Sequence, residues 1–110
     1  MYVRSYFKLV FVLLVMTFNS FSYAEEIWID VRSTAEHFID NIEGDVRFSH
    51  TEIVPNVTKL LPDKHSEIRL YCRSGARAGK AVLALKDAGY TNVTNAGGIS
   101  DARKARGIDK

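Results

Sequence analysis

Apolar positions along the chain follow two patterns, one with the period of a strand and one with the period of a helix. Short runs rich in aromatic and β-branched residues predict strands, because such side chains pack well on a pleated surface. Longer segments with apolar residues three or four positions apart predict helices with one buried face. The predicted strands cover 26–31, 45–48, 68–71 and 92–95, and the predicted helices cover 35–41, 50–61 and 76–88.

The first two helices carry recognisable start signals. Ser33 has Glu36 three residues later, which is the capping-box pattern of a helix N-terminus. Phe38 and Ile42 follow at a spacing of four residues, so both are expected to face inward. Pro55 should mark either a kink or the first turn of the second helix.

The order of the elements predicts the fold class. Strands that alternate with helices of about ten residues are typical of a parallel sheet with helices on both faces. We therefore expect a single α/β domain around a parallel sheet of about four to five short strands. After the last strand, the residues from Ser100 onward are expected to form a short basic tail.

Residues 1–24 have the three regions of a secretory signal. A basic start precedes an apolar run over 9–18, and small residues, Ser22 and Ala24, occupy the positions that signal peptidase reads. The apolar run is shorter than the roughly 20 residues of a membrane-spanning helix, which disfavours the alternative of an uncleaved anchor. The sequence predicts cleavage after Ala24, export (in a bacterium, to the periplasm) and a domain over 25–110 without stable membrane association.

Charge and composition argue against several classes of function. The chain has 15 basic and 13 acidic residues, a net charge of +2, and losing Arg4 and Lys8 with the signal would leave a neutral domain. Such a domain gives no electrostatic case for nucleic acid or an anionic membrane as partner. One cysteine cannot form an intramolecular disulfide, and with three scattered histidines it offers no metal-ligand spacing. Neither a metal nor another cofactor is expected.

Cys72 has surroundings that indicate chemistry. A small, glycine-containing and doubly basic loop follows it, consisting of Arg73, Ser74, Gly75, Ala76 and Arg77. Backbone N–H groups at the start of the next helix, together with the two arginines, favour an anion. They should lower the pKa of the thiol and could also hold an anionic substrate. The alternative is a buried, inert thiol, but such a position is seldom followed by two arginines.

Three segments resemble the rhodanese (thiosulfate sulfurtransferase) family. Residues 72–77 resemble its six-residue active-site loop, and residues 28–32 resemble its first strand with an Asp-Val-Arg signature. Residues 95–98 resemble the glycine pair after its last strand. The resemblance covers 26–105 and is greatest to the small exported single-domain rhodaneses of the phage-shock type. It implies a rhodanese-like domain.

The resemblance also implies a double-displacement reaction without cofactors. The Cys72 thiolate would take the outer sulfur of thiosulfate as a persulfide, release sulfite, and pass the sulfur to a thiophilic acceptor such as cyanide or a thiol. Arg73 and Arg77 would bind the sulfonate, and the remaining loop residues would complete the substrate site. Asp30 and Arg32 are expected to support the site by pairing rather than to react.

Four positions depart from the family pattern. The usual His, Ala, Asn and Pro are replaced by Asn41, Asp45, Arg47 and Ser49. Asp45 and Arg47 lie two residues apart, so they are expected to pair with each other or with Arg32. These changes leave the loop untouched and concern the mouth of the site.

Three other functions compete with sulfur transfer. Cysteine-dependent phosphatases space their cysteine and arginine as Cys-x5-Arg, whereas Cys72 and Arg77 form the shorter Cys-x4-Arg. A thiol-disulfide oxidoreductase is disfavoured, because the chain has no second cysteine. A non-enzymatic module could bind a partner without using the thiol, but the presence of Cys72 disfavours this function. Such a module could instead carry a persulfide to a partner, and this alternative stays open.

Overall fold

Four parallel strands form a sheet in the computed structural model, which describes residues 26–110. The predicted signal segment, 1–24, lies outside the described residues. The elements in chain order are β1 (Glu26–Asp30), α1 (Thr34–Ile39), β2 (Val46–Arg47), a 3-10 turn (His50–Glu52), α2 (Ile53–Leu60), β3 (Glu67–Cys72), α3 (Ala76–Asp87), β4 (Val93–Gly98) and α4 (Ile99–Arg106).

The strands lie in the order β2-β1-β3-β4. Ile29 at the centre of the sheet lies opposite Val46 of β2 on one side and Leu70 of β3 on the other. Ile68 of β3 lies opposite Val93 of β4. Since all four strands are parallel, their carboxyl ends lie at one edge, which is where open α/β sheets bind ligands. The predicted α/β class with a parallel sheet is confirmed.

Helices cover both faces of the sheet, as predicted. Side chains alternate along β3, so Leu70 and Cys72 point to one face and Tyr71 points to the other. Leu70 and Cys72 belong to a core that includes Leu85 of α3 and residues of α2. Tyr71 is buried in a second, smaller core with Ala102 of α4. The thiol therefore lies at the edge of the larger core.

The predicted inward orientation of Phe38 is wrong. Phe38 is 85% exposed, and α1 contains no buried residue. Ile42, which follows the helix, is buried. The helix ends at Ile39, and Asp40 adopts an extended conformation with φ of −153°. The spacing of four residues between Phe38 and Ile42 therefore does not correspond to one face of a helix.

The segment after β4 is a helix rather than the predicted basic tail. Its buried residue is Ala102, so the apolar stripe of α4 is too narrow to stand out in the sequence. The Asp101 carboxylate accepts a hydrogen bond from the Gly98 N–H at 2.9 Å at the start of the helix. Gly107, with φ of +66°, ends the helix in the left-handed conformation.

The other elements differ from their predicted lengths by a few residues. β2 has two residues rather than four, and β4 continues through the glycine pair to Gly98. α3, with 12 residues, begins at Ala76 as predicted and ends one residue earlier. Within the described residues, no helix combines the length and the apolar character needed to cross a membrane.

Candidate active site

Cys72 ends β3 and lies at the base of the loop that leads into α3. It lies opposite Gly98 of β4, beyond a register shift that follows Leu70. The residue is 1% exposed. A small molecule must therefore enter the loop to reach Sγ.

The loop directs a backbone amide at the sulfur. Gly75 has φ of +103°, in the left-handed region that glycine adopts without strain. Its N–H donates to Cys72 Sγ at 2.9 Å. Ser74 and Ala76 are exposed on either side of it. Because α3 begins at Ala76, the partial positive charge of the helix N-terminus lies at the same place.

Two opposing effects act on the thiol of Cys72. Burial raises its pKa, because the thiolate loses its hydration. Four backbone N–H groups lower it, those of Ala78, Ser74, Gly75 and Arg77. The hydrogen bonds prevail, so the pKa of Cys72 lies below its ordinary value. The loop therefore gives Cys72 a larger fraction of the nucleophilic thiolate than an ordinary cysteine has.

Strand β4 holds the loop in place. The side chain of Asn95 donates from Nδ2 to the Gly75 carbonyl at 2.9 Å and accepts at Oδ1 from the Gly97 N–H at 2.8 Å. Gly98 lies so close to the loop that a Cβ there would be 2.3 Å from the carbonyl oxygen of Arg73. Sequence reasoning missed the contact between Asn95 and the loop, because the residue it holds is 20 positions away.

The two arginines of the loop have different surroundings. Nη1 and Nη2 of Arg77 donate to the Glu36 carboxylate at 2.7 and 2.9 Å. Arg73 is exposed and has no ion-pair partner among residues 26–110. The pKa of Glu36 is lowered, mainly by Arg77 and then by the N–H of Ser33. The sequence indicated Glu36 as a helix cap, and the capping box with Ser33 is present, but its pairing with Arg77 was missed.

Asp30 and Arg32 form a buried ion pair at the end of β1. Arg32 Nη2 lies 2.7 Å from Asp30 Oδ2 and donates to the carbonyl of Asp40 at 2.5 Å. His37 Nδ1 lies 2.9 Å from the same carboxylate oxygen. Burial raises the pKa of Asp30, but hydrogen bonds from Arg32 and His37 lower it by more. The pKa therefore lies below its ordinary value, and the carboxylate is ionised at neutral pH. The pair joins the end of β1 to the end of α1.

The expected pairing of Asp45 with Arg47 or Arg32 is wrong. The Asp45 carboxylate accepts from Arg106 at 2.7 and 3.0 Å and from the Tyr71 hydroxyl at 2.7 Å. Arg47 instead donates to the carbonyl of Arg32 at 2.9 Å. Asp45 precedes the two-residue strand β2, and α4 brings Arg106 within reach of it. The pairing depends on a helix that the sequence did not reveal.

The other two departures from the family pattern make local hydrogen bonds. Asn41 donates from Nδ2 to the carbonyl of His37 at 2.8 Å. The Ser49 hydroxyl accepts from the N–H of Thr51 at 3.3 Å and caps the 3-10 turn. Both changes therefore serve the local backbone outside the Cys72 loop.

A groove of about 450 Å³ lies beside the loop. It is lined by charged and apolar side chains, namely Arg32, Glu36, Ile39, Asp40, Arg73 and Ile99. In the part of the chain that the structure describes, no three His, Cys, Asp or Glu side chains come together as metal ligands would. The chemical groups gathered at this edge of the sheet are thus a thiol, backbone amides, arginines and carboxylates that pair with arginines.

Comparisons with known proteins agree on one family. The family model of the rhodanese-like domain matches residues 19–105. The chain is 33% identical over 95 residues to the thiosulfate sulfurtransferase PspE of Escherichia coli (strain K12), an alignment covering 86% of this chain and 91% of the relative. The matched range contains the loop, the first strand and the glycine pair.

Solved structures show the same similarity. A rhodanese from E. coli, solved with anions, has a TM-score of 0.63 and 34% identity, covering 69% of this chain and 89% of its own. The rhodanese-like domain of the Alr3790 protein from Anabaena sp. has a TM-score of 0.67 and 26% identity, covering 76% of this chain and 95% of its own. Both match most of the residues that the structure describes.

Proposed function

The chain belongs to the rhodanese family of sulfurtransferases, and we propose that it transfers the outer sulfur of thiosulfate through Cys72 to a thiophilic acceptor. The hydrogen bond from the Gly75 N–H to Cys72 Sγ, at 2.9 Å, is the observation that carries the proposal. It belongs to a set of backbone donors that favours an anionic sulfur at the base of the loop. The name of the E. coli relative, a thiosulfate sulfurtransferase, supports the choice of donor.

In the first half-reaction, the Cys72 thiolate attacks the outer sulfur of thiosulfate. A bond forms between Sγ and that sulfur, and the bond to the sulfonate sulfur breaks, so sulfite leaves with the electron pair. The exposed guanidinium of Arg73 can bind the sulfonate, with Ser74, Gly75 and Ala76 forming the loop around it. Arg77, which is held by Glu36, contributes its backbone N–H to the sulfur.

In the second half-reaction, the acceptor attacks the outer sulfur of the Cys72 persulfide. The bond between the two sulfurs breaks, and its electron pair returns to Sγ as the thiolate. With cyanide the product is thiocyanate, and with a thiol it is a new persulfide. Backbone donors that favour an anionic sulfur stabilise both the persulfide and the leaving thiolate.

We further propose that the protein acts after export. Residues 1–24 have the composition of a cleavable signal, and in a bacterium they would direct the domain to the periplasm. N-terminal sequencing of the protein from a periplasmic fraction should give a chain that begins at Glu25. Recovery of the full-length chain from the cytoplasmic fraction would contradict this part of the proposal.

The experiment that tests the enzyme activity compares wild type with Cys72→Ser in a thiosulfate-to-cyanide assay. The variant should lose turnover completely, because a hydroxyl at this position does not form the persulfide. Circular dichroism should show the same secondary structure for both proteins. Turnover close to that of wild type in Cys72→Ser would overturn the proposed mechanism.

The same protein preparations distinguish the competing functions. A persulfide carrier would accept sulfur from thiosulfate in one turnover but pass it only to its partner, so cyanide would not produce steady turnover. A phosphatase would hydrolyse an aryl phosphate. The pairing of Arg77 with Glu36 disfavours the phosphatase, because its guanidinium is already occupied by a carboxylate.

A further inference from the structure

Two consecutive residues at the end of α1 carry large, exposed apolar side chains, and one of them, Ile39, lines the groove. Phe38 is 85% exposed and Ile39 is 80% exposed, on a helix that has no buried residue. Single exposed apolar side chains are common on soluble proteins and need no explanation. Two consecutive exposed residues, one of which lines a groove beside the Cys72 loop, are different, because solvation of both side chains costs free energy that a contact would recover.

The groove connects Ile39 to the loop that carries the thiol. Ile39, Ile99 and Arg73 are among the residues that line it. Arg73 directly follows Cys72 in the chain. A molecule that occupies the groove would therefore contact both Ile39 and Arg73, and Phe38 directly precedes Ile39 in the chain.

The groove has a positive charge that is not compensated. Its other charged side chains are paired within the described residues: Arg32 with Asp30, Glu36 with Arg77, and Asp40 with Arg103. Arg73 has no such partner among residues 26–110. The surface therefore complements a molecule that is apolar on one part and negatively charged on another.

We propose that Phe38, Ile39 and the groove form a docking surface for the sulfur acceptor, and that this acceptor is a cysteine-bearing polypeptide segment. Apolar side chains next to its cysteine would cover Phe38 and Ile39, and an acidic side chain would meet Arg73. This inference rests on the proposed function, since the segment acts in the second half-reaction. Cys72 is 1% exposed, so a thiol that diffuses freely in solution rarely reaches it. Docking would compensate for this burial by holding the acceptor thiol close to Cys72.

The transfer step balances without another reagent. The acceptor thiol releases its proton to solvent, and its thiolate forms a bond to the outer sulfur of the Cys72 persulfide. The bond between that sulfur and Sγ breaks, and Sγ keeps the electron pair as a thiolate. The outer sulfur extends about 2 Å beyond Sγ, which brings it closer to an acceptor held at the mouth.

The test uses three acceptors and three proteins. The acceptors are cyanide, a pentapeptide whose cysteine is flanked by leucines and then aspartates, and a matched peptide with serines and lysines in their place. The proteins are wild type, the double variant Phe38→Ser with Ile39→Ser, and the control Leu83→Ser. Leu83 is 66% exposed and does not line the groove.

Wild type and Leu83→Ser should use the leucine-aspartate peptide with a kcat/KM about tenfold above that of the matched peptide, a difference that partial burial of two apolar side chains can supply. In the double variant this ratio should fall several-fold, while cyanide turnover stays unchanged in all three proteins. Equal use of both peptides by wild type, or an unchanged ratio in the double variant, would overturn the docking surface. Absence of cyanide turnover in wild type would instead overturn the proposed function and the inference with it.

Discussion

The carboxylate of Glu36 binds the guanidinium of Arg77 through two hydrogen bonds, at 2.7 and 2.9 Å. The same carboxylate accepts from the Ser33 N–H at 2.9 Å, as the capping box of α1 requires. One side chain thus joins the start of α1 to the first turn of α3. Its negative charge offsets the positive charge of Arg77, beside the loop that would admit the thiosulfate anion in the proposed reaction.

Replacing Glu36 by Gln should strengthen thiosulfate binding. Gln keeps the hydrogen bond of the capping box but removes the negative charge, so the charge of Arg77 is no longer offset. We expect the KM for thiosulfate to fall about fivefold, equivalent to roughly 1 kcal/mol for a half-exposed charge, with little change in kcat. Steady-state kinetics of Glu36→Gln and of the control Glu52→Gln, an exposed carboxylate on the 3-10 turn, would check this. An unchanged or higher KM in Glu36→Gln would contradict it.

Gly98→Ala should destabilise the fold and distort the loop. The added Cβ would lie 2.3 Å from the Arg73 carbonyl oxygen, so two backbone segments must separate. We expect the free energy of unfolding to fall by about 3 kcal/mol. Urea denaturation should show no such loss for Gly79→Ala, whose Cβ would lie 3.4 Å from the side-chain Nδ2 of Asn95. Equal stability of the two variants would show that the approach of β4 to the loop is not as close as described.

Asp30→Asn should cost about 3 to 5 kcal/mol of the free energy of unfolding, because it leaves the buried charge of Arg32 without its counter-ion. A double-mutant cycle with Arg32→Met checks the cause. The double variant should lose less free energy of unfolding than the two single variants lose together. Strict additivity would contradict the ion pair as the source of the effect.

The same ion pair makes a prediction about acid. Hydrogen bonds from Arg32 and His37 outweigh the effect of burial and lower the pKa of Asp30 in the folded protein. Ionised Asp30 therefore stabilises the fold fully at a pH above its pKa in the unfolded chain, which is about 4. This stabilisation is lost as the pH falls through its lower pKa in the folded protein. Stability measured from pH 6 downward should fall less steeply in Asp30→Asn than in wild type. Parallel curves would contradict the lowered pKa.

The thiol of Cys72 should react with iodoacetamide at a lower pH than an ordinary thiol. Burial raises its pKa, but the backbone N–H groups of the loop lower it by more. The alkylation rate of the native protein should therefore reach half its maximum below pH 8.5, the approximate pKa of a free cysteine. The urea-unfolded protein serves as the control and should titrate near that value. A native midpoint at or above that of the unfolded protein would contradict the stabilised thiolate.

Short-range patterns in the sequence predicted the fold and the local backbone structure around Cys72. The alternation of strands and helices gave the parallel sheet, and the composition of the loop placed Cys72 before a helix. Ser74 and Gly75 act through their backbone N–H groups, and a local sequence specifies local backbone. The family that three short segments of the sequence resemble is likewise confirmed.

Contacts between distant segments could not be read in the same way. Glu36 and Arg77 are 41 residues apart, and Asp45 and Arg106 are 61 apart, so their pairing depends on how helices pack on the sheet. Phe38 was expected to share one buried helix face with Ile42. This pattern does not apply, because α1 ends at Ile39, before Ile42. α4 was missed because it buries one small residue, although Asp101 and Gly107 at its ends were available as signals.

The proposed mechanism requires a persulfide on Cys72, which intact-protein mass spectrometry under non-reducing conditions detects as added mass. Wild type and Cys72→Ser are incubated with thiosulfate, desalted and measured. Wild type should gain the mass of one sulfur atom and lose it again on addition of cyanide, while Cys72→Ser should gain nothing. No added sulfur on wild type, or the same gain on the variant, would contradict the account.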